Sequence, residues 1–292
     1  MLSGLFHNKF RNSSNSRVLI NVIGVPSIIA VLFLGGPLFA CFITIVMLLA
    51  IREIPNFIHN PHINPFYYIL TAAFLVLAVL YYYRLNYYLD FTIIFLISIT
   101  IIEIFRSSKM PFANISIIMV AFIWIGLMLG SMILLRNYEA GGYNIGFELT
   151  FAMMISVWIC DTAAFIFGKK FGKKKILPAV SPNKTVVGTI AGLIASFAVM
   201  SLLYFTNFSF IGYPTADGFF LGWIDMQDVI VMSLIFGIFG QLGDFGESLL
   251  KREAGVKDSS SLLKGHGGIL DRFDSLAYTT PLLVIYSKYF IN

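Results

Sequence analysis

Long, uninterrupted apolar runs alternate with short polar segments along this 292-residue chain. Runs of about 17 to 25 apolar residues are long enough to cross a bilayer as helices. Because these runs are continuous rather than alternating, membrane-spanning strands are not expected. The pattern therefore predicts nine transmembrane helices, the second of them short enough to be a re-entrant hairpin instead. They cover residues 18–35, 37–51, 66–83, 88–105, 112–135, 147–167, 186–205, 228–250 and 274–291.

Composition agrees with this pattern, since 58% of the residues are hydrophobic and only 12% are charged. Soluble proteins average about 45–50% apolar and about 25% charged residues. These values exclude a soluble enzyme, a disordered chain and a nucleic-acid-binding protein. Cys41 and Cys160 both lie inside apolar runs, where neither a disulfide framework nor a thiolate metal site is expected. The predicted fold class is an all-α integral membrane protein.

The distribution of basic residues predicts the orientation of the helices. With the N-terminus in the cytoplasm, 17 of the 20 Lys and Arg residues fall on inner segments, as the positive-inside rule requires. Arg84, Arg136 and Lys288 are the exceptions, and the C-terminus lies outside. The predicted regions are a basic cytoplasmic tail (1–17), helices one to five (18–146), and helices six to nine (147–292) with cytoplasmic loops at 168–185 and 251–273.

The eighth predicted helix carries acidic residues inside an apolar run. Charged residues inside membrane helices are costly and mark functional or ion-paired sites. At 3.6 residues per turn, the polar and glycine residues of this helix fall on one face about 120° wide. They are Gly237, Gly240, Gln241, Asp244, Glu247, Ser248 and Lys251. Glu247 could instead pair with Lys251 four residues later and only stabilise the helix.

A dense polar segment follows this helix and contains glycines and five cations, which are Lys251, Arg252, Lys257, Lys264 and Arg272. Exposed backbone N–H groups at glycines can bind an anion. Asp271 and Asp274 share a face at the start of the last helix, where helix capping explains only one of them. Carboxylates beside a cationic, glycine-rich loop suit phosphoryl chemistry on Mg²⁺.

Residues 248–274 resemble the signature of the phosphatidate cytidylyltransferases, also called CDP-diacylglycerol synthases. The resemblance lies in Ser-Leu-Leu-Lys-Arg at 248–252, Lys-Asp at 257–258 and His-Gly-Gly-Ile-Leu-Asp-Arg-Phe-Asp at 266–274. Upstream agreement lies in Gly-Asp at 243–244, Ser-Pro-Asn-Lys-Thr at 181–185, and Asp-Thr-Ala-Ala-Phe at 161–165. Two positions depart from the signature. Lys264 replaces the usual Pro or Gly, and Val187 replaces a usual Glu, so only phosphate binding is expected of the 181–185 block.

The resemblance implies transfer of a cytidylyl group from CTP to phosphatidic acid, giving CDP-diacylglycerol and pyrophosphate in phospholipid biosynthesis. A cytidylyltransferase for another lipid phosphate, such as an ether lipid, and a membrane transporter are the alternatives. The implied catalytic residues are Asp244, Lys251, Arg252, His266, Asp271 and Arg272. The implied contacts to CTP or lipid phosphates are Ser181, Lys184, Thr185, Lys257, Lys264, Gly267 and Gly268. Asp244 and Asp271 are expected to hold Mg²⁺, with Glu247, Asp161 and Asp274 as further candidates and a second cation of unknown identity.

Several polar residues have two interpretations. His266 could donate a proton or hydrogen bond to phosphate, or hold its loop. Asp161 could contact the metal or nucleotide, or pair with a loop lysine. Glu103 is expected to pair with Arg106, and Glu148 to be exposed at the outer end of the sixth helix.

The expected surroundings follow from the same resemblance. CTP and phosphatidic acid are the substrates, the bilayer is the solvent, and no nucleic acid is involved. The expected location is the bacterial cytoplasmic membrane, with the active site facing the cytoplasm. A homodimer is also implied, and the glycine spacings 126–130 and 188–192 are possible helix-packing contacts for it.

Overall fold

The computed structural model describes residues 23–206, 224–260 and 267–291. These residues are mostly helical. The helices are α1 (Ile23–Leu34), α2 (Gly36–Ile51), α3 (Tyr68–Tyr82), α4 (Tyr88–Arg106), α5 (Pro111–Ala121), α6 (Ser131–Arg136), α7 (Gly146–Phe171), α8 (Val186–Phe205), α9 (Met226–Leu234), α10 (Gly240–Glu253) and α11 (Leu270–Phe290). A 3-10 turn (Ile54–Phe57) follows α2. π-helical segments join α5 to α6 (Phe122–Leu129) and α9 to α10 (Ile235–Phe239).

Within the described ranges, six helices are long and apolar enough to cross a membrane. They are Gly36–Phe57, Tyr88–Arg106, Pro111–Arg136, Gly146–Phe171, Val186–Phe205 and Met226–Glu253. These correspond to the second and the fourth to eighth predicted spans, and the chain is an integral membrane protein. Helices α1 and α3 are apolar but shorter. Helix α11 has 21 residues but is not among the six, so the number nine stays a prediction.

A short hairpin between α6 and α7 was not expected from the apolar pattern. Strand β1 (Glu139–Ala140) pairs antiparallel with β2 (Tyr143–Asn144). Gly141 and Gly142 form the turn, with φ angles of 54° and 83°. Such angles favour glycine at both central positions of a tight hairpin turn. The hairpin lies between two membrane helices, and the described parts of the apolar runs are helical as predicted.

Glycines allow the helices of the C-terminal half to pack with their backbones in contact. A Cβ atom on Gly188 of α8 would lie 3.1 Å from the Cα of Gly168 in α7. One on Gly192 would lie 2.9 Å from the Cys160 sulfur. In the N-terminal half, a Cβ on Gly126 would lie 2.7 Å from the Phe74 ring. These glycines are helix-packing contacts as predicted, but the helices that they bring together belong to the same chain.

Glu148 is buried, with 2% exposure, so the prediction that it is exposed was wrong. The first turn of α7 packs so closely on the end of α6 that a Cβ on Gly146 would overlap the Arg136 carbonyl. Arg136 is itself buried, lies within electrostatic range of Glu148, and donates a 2.8 Å hydrogen bond to the Leu32 carbonyl. Neither Glu148 oxygen has a hydrogen-bond partner among the described residues, so Arg136 offsets the burial of this carboxylate only in part.

Candidate functional site

A cavity of about 660 Å³ lies where α7, the α7–α8 loop, α10 and the start of α11 meet. Five carboxylates and five cations line it. These are Asp161, Asp244, Glu247, Asp271 and Asp274, together with Lys169, Lys175, Lys184, Lys251 and Arg272. The fold therefore brings together most of the predicted site residues from segments more than 100 residues apart.

The predicted polar face of α10 is the part of this helix that lines the cavity. Gln241, Asp244, Glu247 and Lys251 follow one another at spacings of three and four residues, which places them on one side of a helix. Gly243 lies against α11, where a Cβ atom would be 2.9 Å from the Cα of Ser275. Close approach of the two helices thus places the α10 carboxylates beside those of α11.

Lys184 extends from the α7–α8 loop to Asp244. Its Nζ atom lies 2.7 Å from Asp244 Oδ2 and 4.4 Å from the centre of the Phe245 ring. The next residue, Thr185, is the N-cap of α8, and its hydroxyl accepts a 3.2 Å hydrogen bond from the Gly188 N–H. A capped helix terminus therefore fixes the backbone that presents Lys184. Thr185 was predicted to bind phosphate, and in this structure its oxygen is used for capping.

Lys251 connects α10 to α11 through two carboxylates. Its Nζ atom is 2.7 Å from Glu247 Oε2 and 2.6 Å from Asp271 Oδ1. The predicted pairing with Glu247 is confirmed, and the additional contact with Asp271 shows that it does more than stabilise one helix. Glu247 Oε1 is buried and has no hydrogen-bond partner among the described residues.

The Asp271 carboxylate organises the loop before α11. Its Oδ2 atom accepts hydrogen bonds from the N–H groups of Gly268 (2.7 Å) and Ser259 (2.9 Å) and from the Ser259 hydroxyl (2.8 Å). Burial opposes ionisation of this carboxyl, but these donors and the Lys251 ammonium outweigh it, so the pKa of Asp271 lies below its ordinary value. Gly268 was predicted to bind phosphate, and here its N–H serves Asp271.

Asp274 and Asp161 complete the acidic side of the cavity. Asp274 is 8% exposed, and its Oδ1 atom accepts a 2.7 Å hydrogen bond from the Ser275 N–H. Its carboxyl lies within electrostatic range of Asp244, Glu247 and Asp161. In the part of the chain that is described, no Lys or Arg is within 4.0 Å of either Asp274 or Asp161. The suggested pairing of Asp161 with a loop lysine is therefore not formed at that distance.

Other predicted site residues lie away from this cavity or outside the described residues. The Ser181 N–H bonds to the Leu177 carbonyl, and Arg252 donates to the Val180 carbonyl at 3.1 Å. Lys257 lines a separate cavity of about 580 Å³. Gly267 has a φ of 79° and leaves room for the Asp271 carboxylate. Lys264 and His266 lie outside the described residues.

The Glu103–Arg106 pair is formed as predicted, with 2.6 Å between Glu103 Oε1 and the guanidinium. It lies at the end of α4 and takes no part in lining the cavity. Val187, the position without the usual Glu, is 39% exposed and likewise absent from the cavity wall.

Glu53 was not predicted from the sequence. It follows α2, is 1% exposed, and lies beside the loop that holds Asp271. Its carboxylate accepts hydrogen bonds from the N–H groups of Ile269 and Leu270 and from the Ser260 hydroxyl, and it shares the Ser259 hydroxyl proton with Asp271. The only sequence signal was an acidic residue directly after an apolar run, and the contacts span more than 200 residues.

The sequence is similar to that of one known protein family along most of its length. It matches the model of the cytidylyltransferase family over residues 15–290. A phosphatidate cytidylyltransferase of Staphylococcus aureus is 35% identical over 283 residues, which cover 92% of this chain and 97% of the relative. The phosphatidate cytidylyltransferase of Staphylococcus haemolyticus is 39% identical over 191 residues, which cover 65% of this chain and 64% of the relative. That of Bacillus subtilis is 34% identical over 193 residues, which cover 66% of this chain and 64% of the relative. The similarity extends through the N-terminal helices, beyond the sequence motifs.

Proposed function

The chain belongs to the cytidylyltransferase family, and from this membership we infer that it transfers a cytidylyl group from CTP to phosphatidic acid. The products are CDP-diacylglycerol and pyrophosphate. The cavity is the observation that assigns this function to particular residues. Carboxylates and lysines of the signature line it together, at the end of membrane helices. A soluble nucleotide and a membrane lipid can meet at such a position.

The chemistry needs positioning more than a strong base. A phosphate monoester is largely ionised near neutral pH, because its second pKa is about 6. An oxygen of the lipid phosphate forms a bond to the α-phosphorus of CTP. The bond from that phosphorus to the oxygen bridging to the β-phosphorus breaks, and pyrophosphate leaves. Repulsion between two polyanions is the main barrier, so cations arranged in advance lower it.

The cavity cations are suited to this role. Lys184 and Lys251 reach it from the α7–α8 loop and from α10, and each is fixed by carboxylates. Arg272, Lys169 and Lys175 line the same space. We propose that these groups bind the phosphates of CTP and of the lipid. For Lys257, Lys264, Ser181, Arg252 and His266, the same role rests on the family resemblance alone.

The donor set of the cavity fits a hard divalent cation, since carboxylate oxygens are the ligands that Mg²⁺ prefers. Glu247 Oε1 is an unpartnered buried oxygen at the cavity wall. Within the described residues, however, no three acidic, His or Cys side chains already form a metal-binding group. We propose that Asp244 and Asp271 hold Mg²⁺, aided by Glu247, Asp161 or Asp274. When bound, it would neutralise charge on the α-phosphate and the leaving pyrophosphate.

The proposed setting is the bacterial cytoplasmic membrane, with nine spans, the N-terminus inside and the cavity open to the cytoplasm. Support comes from the 17 basic residues on the predicted inner segments, which include all five cations of the cavity. A homodimer remains part of the proposal through the family resemblance, and its contact would use surfaces other than the glycine pairs of α5–α6 and α8.

A reconstituted assay tests the proposed function. Purified protein in detergent receives labelled CTP, Mg²⁺ and one lipid phosphate at a time, either phosphatidic acid or an ether-linked analogue. We expect CDP-diacylglycerol and pyrophosphate in equal amounts, formed at least about 100-fold more slowly by the Asp244→Asn variant. Preference for the ether lipid would change the substrate. Absence of any CDP-lipid, together with solute uptake by proteoliposomes, would favour a transporter instead.

A further inference from the structure

Ser259 connects the carboxylates of two distant segments. Its hydroxyl oxygen lies 2.8 Å from Glu53 Oε2, at the end of α2, and 2.8 Å from Asp271 Oδ2, in the first turn of α11. Ser259 is 0% exposed. A movement of Glu53 is therefore transmitted to Asp271 through one buried side chain.

Three successive N–H groups at the start of α11 are divided between the same two carboxylates. Gly268 donates to Asp271, while Ile269 (2.7 Å) and Leu270 (2.9 Å) donate to Glu53. The first N–H groups of a helix have no partners within it and carry partial positive charge. Glu53 therefore supplies the cap of α11 from another part of the chain, and this cap fixes the backbone that carries Asp271.

The segment after Glu53 holds the same loop at further points. Asn56 donates a 2.7 Å hydrogen bond to the Ser259 carbonyl, and His59 contacts the Ala254 carbonyl. There is no space for a side chain at Gly268, because a Cβ atom would overlap both Ser259 and Glu53. Residues 53–59 and 254–260 are thus interlocked beside the cavity without lining its main space.

We propose that Glu53 is a positioning residue for the Asp271 carboxylate. The inference rests on the proposed function, because it assigns Glu53 to the reaction through Asp271. Glu53 touches none of the cavity space and acts by holding Ser259 and the first turn of α11. Residues that orient a metal-binding or reacting group in this way typically change activity about 10- to 100-fold when altered.

Glu53→Gln is the informative substitution. Glu53 Oε1 accepts from the Ile269 N–H and the Ser260 hydroxyl. Glu53 Oε2 accepts from the Leu270 N–H and shares the single Ser259 hydroxyl proton with Asp271. A glutamine keeps the shape but replaces one oxygen by an NH₂ group, which then faces the N–H of Ile269 or Leu270. Two donors cannot satisfy each other, so the cap opens.

Glu103→Gln provides a matched control. Glu103 is also buried, at 3% exposure, and accepts hydrogen bonds from Arg106, Ser108 and Asn114 near the end of α4. Its contacts do not reach the cavity. Both variants lose a buried carboxylate, so a fall in kcat that came only from lower stability would appear in both.

The experiment measures hydrogen–deuterium exchange and steady-state kinetics on the purified full-length variants. We expect Glu53→Gln to accelerate exchange in residues 254–260 and 267–275 and to lower kcat about 10- to 100-fold, with KM for CTP near wild type. Glu103→Gln should leave both the exchange in those residues and kcat unchanged. If Glu53→Gln cannot be purified folded, the same exchange and kcat measurements are made on Ser259→Ala. The same changes are expected, because this substitution removes the hydroxyl that joins the two carboxylates.

The proposal would be overturned if Glu53→Gln had the same exchange rates and kcat as the wild type. It would also be overturned if Glu53→Gln and Glu103→Gln lost kcat equally. Failure of the proposed function is distinguishable from either result. In that case the wild-type protein forms no CDP-lipid, while the exchange measurement still reports whether Glu53 orders the start of α11.

Discussion

Lys251 lies between two carboxylates that belong to different helices. The side chain of Lys251 is 12% exposed, and those of Glu247 and Asp271 are 1% and 11% exposed. Removing one partner from a buried ionic group leaves the remaining charge uncompensated. Lys251 therefore stabilises the α10–α11 contact and also contributes positive charge to the cavity.

Lys251→Met should destabilise the protein by about 3–5 kcal/mol, because Glu247 and Asp271 lose their cation. Thermal unfolding in detergent measures this loss, and cytidylyl transfer should fall as well. Lys170→Met is the control, since Lys170 is exposed and its Nζ atom lies 5.2 Å from the centre of the Phe171 ring. An unfolding midpoint of Lys251→Met equal to that of the control would contradict the structural role.

Asp244→Asn and Asp271→Asn should each lower kcat by at least about 100-fold, as expected when a group that holds a charge-neutralising cation is lost. Mg²⁺ titration of the purified variants measures whether excess metal restores the rate. Asp258→Asn is the control, because Asp258 is exposed in the same loop and does not line the main cavity. Near-normal turnover of either folded variant would refute the metal assignment.

The site residues of α10 could be predicted because they lie close together in the sequence. Asp244, Glu247 and Lys251 have helical spacing within one apolar run, so their shared face follows from the sequence. Glu53 could not be found in this way, since its partners lie more than 200 residues away and half of them are backbone N–H groups. A long-range contact of a single acidic residue leaves no periodic signal.

The spacing between α10 and α11 depends on Gly243. A Cβ atom there would overlap the Asp274 carbonyl and approach the Cα of Ser275 to 2.9 Å. Gly240 lies in the same helix, one turn earlier, where a Cβ would meet only side-chain atoms at 3.6–3.8 Å. These two glycines form a matched pair that separates helix spacing from helix propensity.

Gly243→Ala should therefore destabilise the protein by about 1–3 kcal/mol, the usual cost of forcing extra atoms into a packed interior. It should also lower turnover, because Asp274 moves with the displaced helix. Gly240→Ala should be neutral or stabilising, since alanine is favoured over glycine by about 1 kcal/mol in a helix. Thermal unfolding and kcat are measured for both, and equal behaviour of the two variants would contradict the close packing.

Helix boundaries were predictable where the apolar run ends abruptly. The predicted span 186–205 coincides with α8 (Val186–Phe205). The last membrane span was predicted to begin at residue 274, whereas the helix that contains it, α11, begins at Leu270. Acidic and basic residues lower the apolar average of its first turn, while Glu53 satisfies the N–H groups there. A cap supplied by a distant segment is invisible to a local pattern.

At the scale of the whole molecule, the two halves of the chain are joined at the proposed cytoplasmic edge by Glu53 and its neighbours. The N-terminal helices therefore hold the segment that supports the site, in addition to spanning the membrane. The charge distribution predicts that residues 53–59, the α7–α8 loop and residues 254–260 lie on one side of the membrane. Residues 53–59 and 254–260 are in contact, so both segments must lie on the same side of the membrane.

Cysteine labelling tests this arrangement. In a Cys41→Ser background, which removes an exposed thiol, Asp258→Cys should resist a membrane-impermeant thiol reagent in intact cells and react after permeabilisation. Glu139→Cys, in the hairpin between α6 and α7, should react in intact cells, because the predicted orientation places that hairpin outside. Both positions are exposed, so a difference in labelling reports the side of the membrane and not burial. Reaction of Asp258→Cys in intact cells would place the loop beside Asp271 outside, where cytoplasmic CTP has no access, and would overturn the orientation.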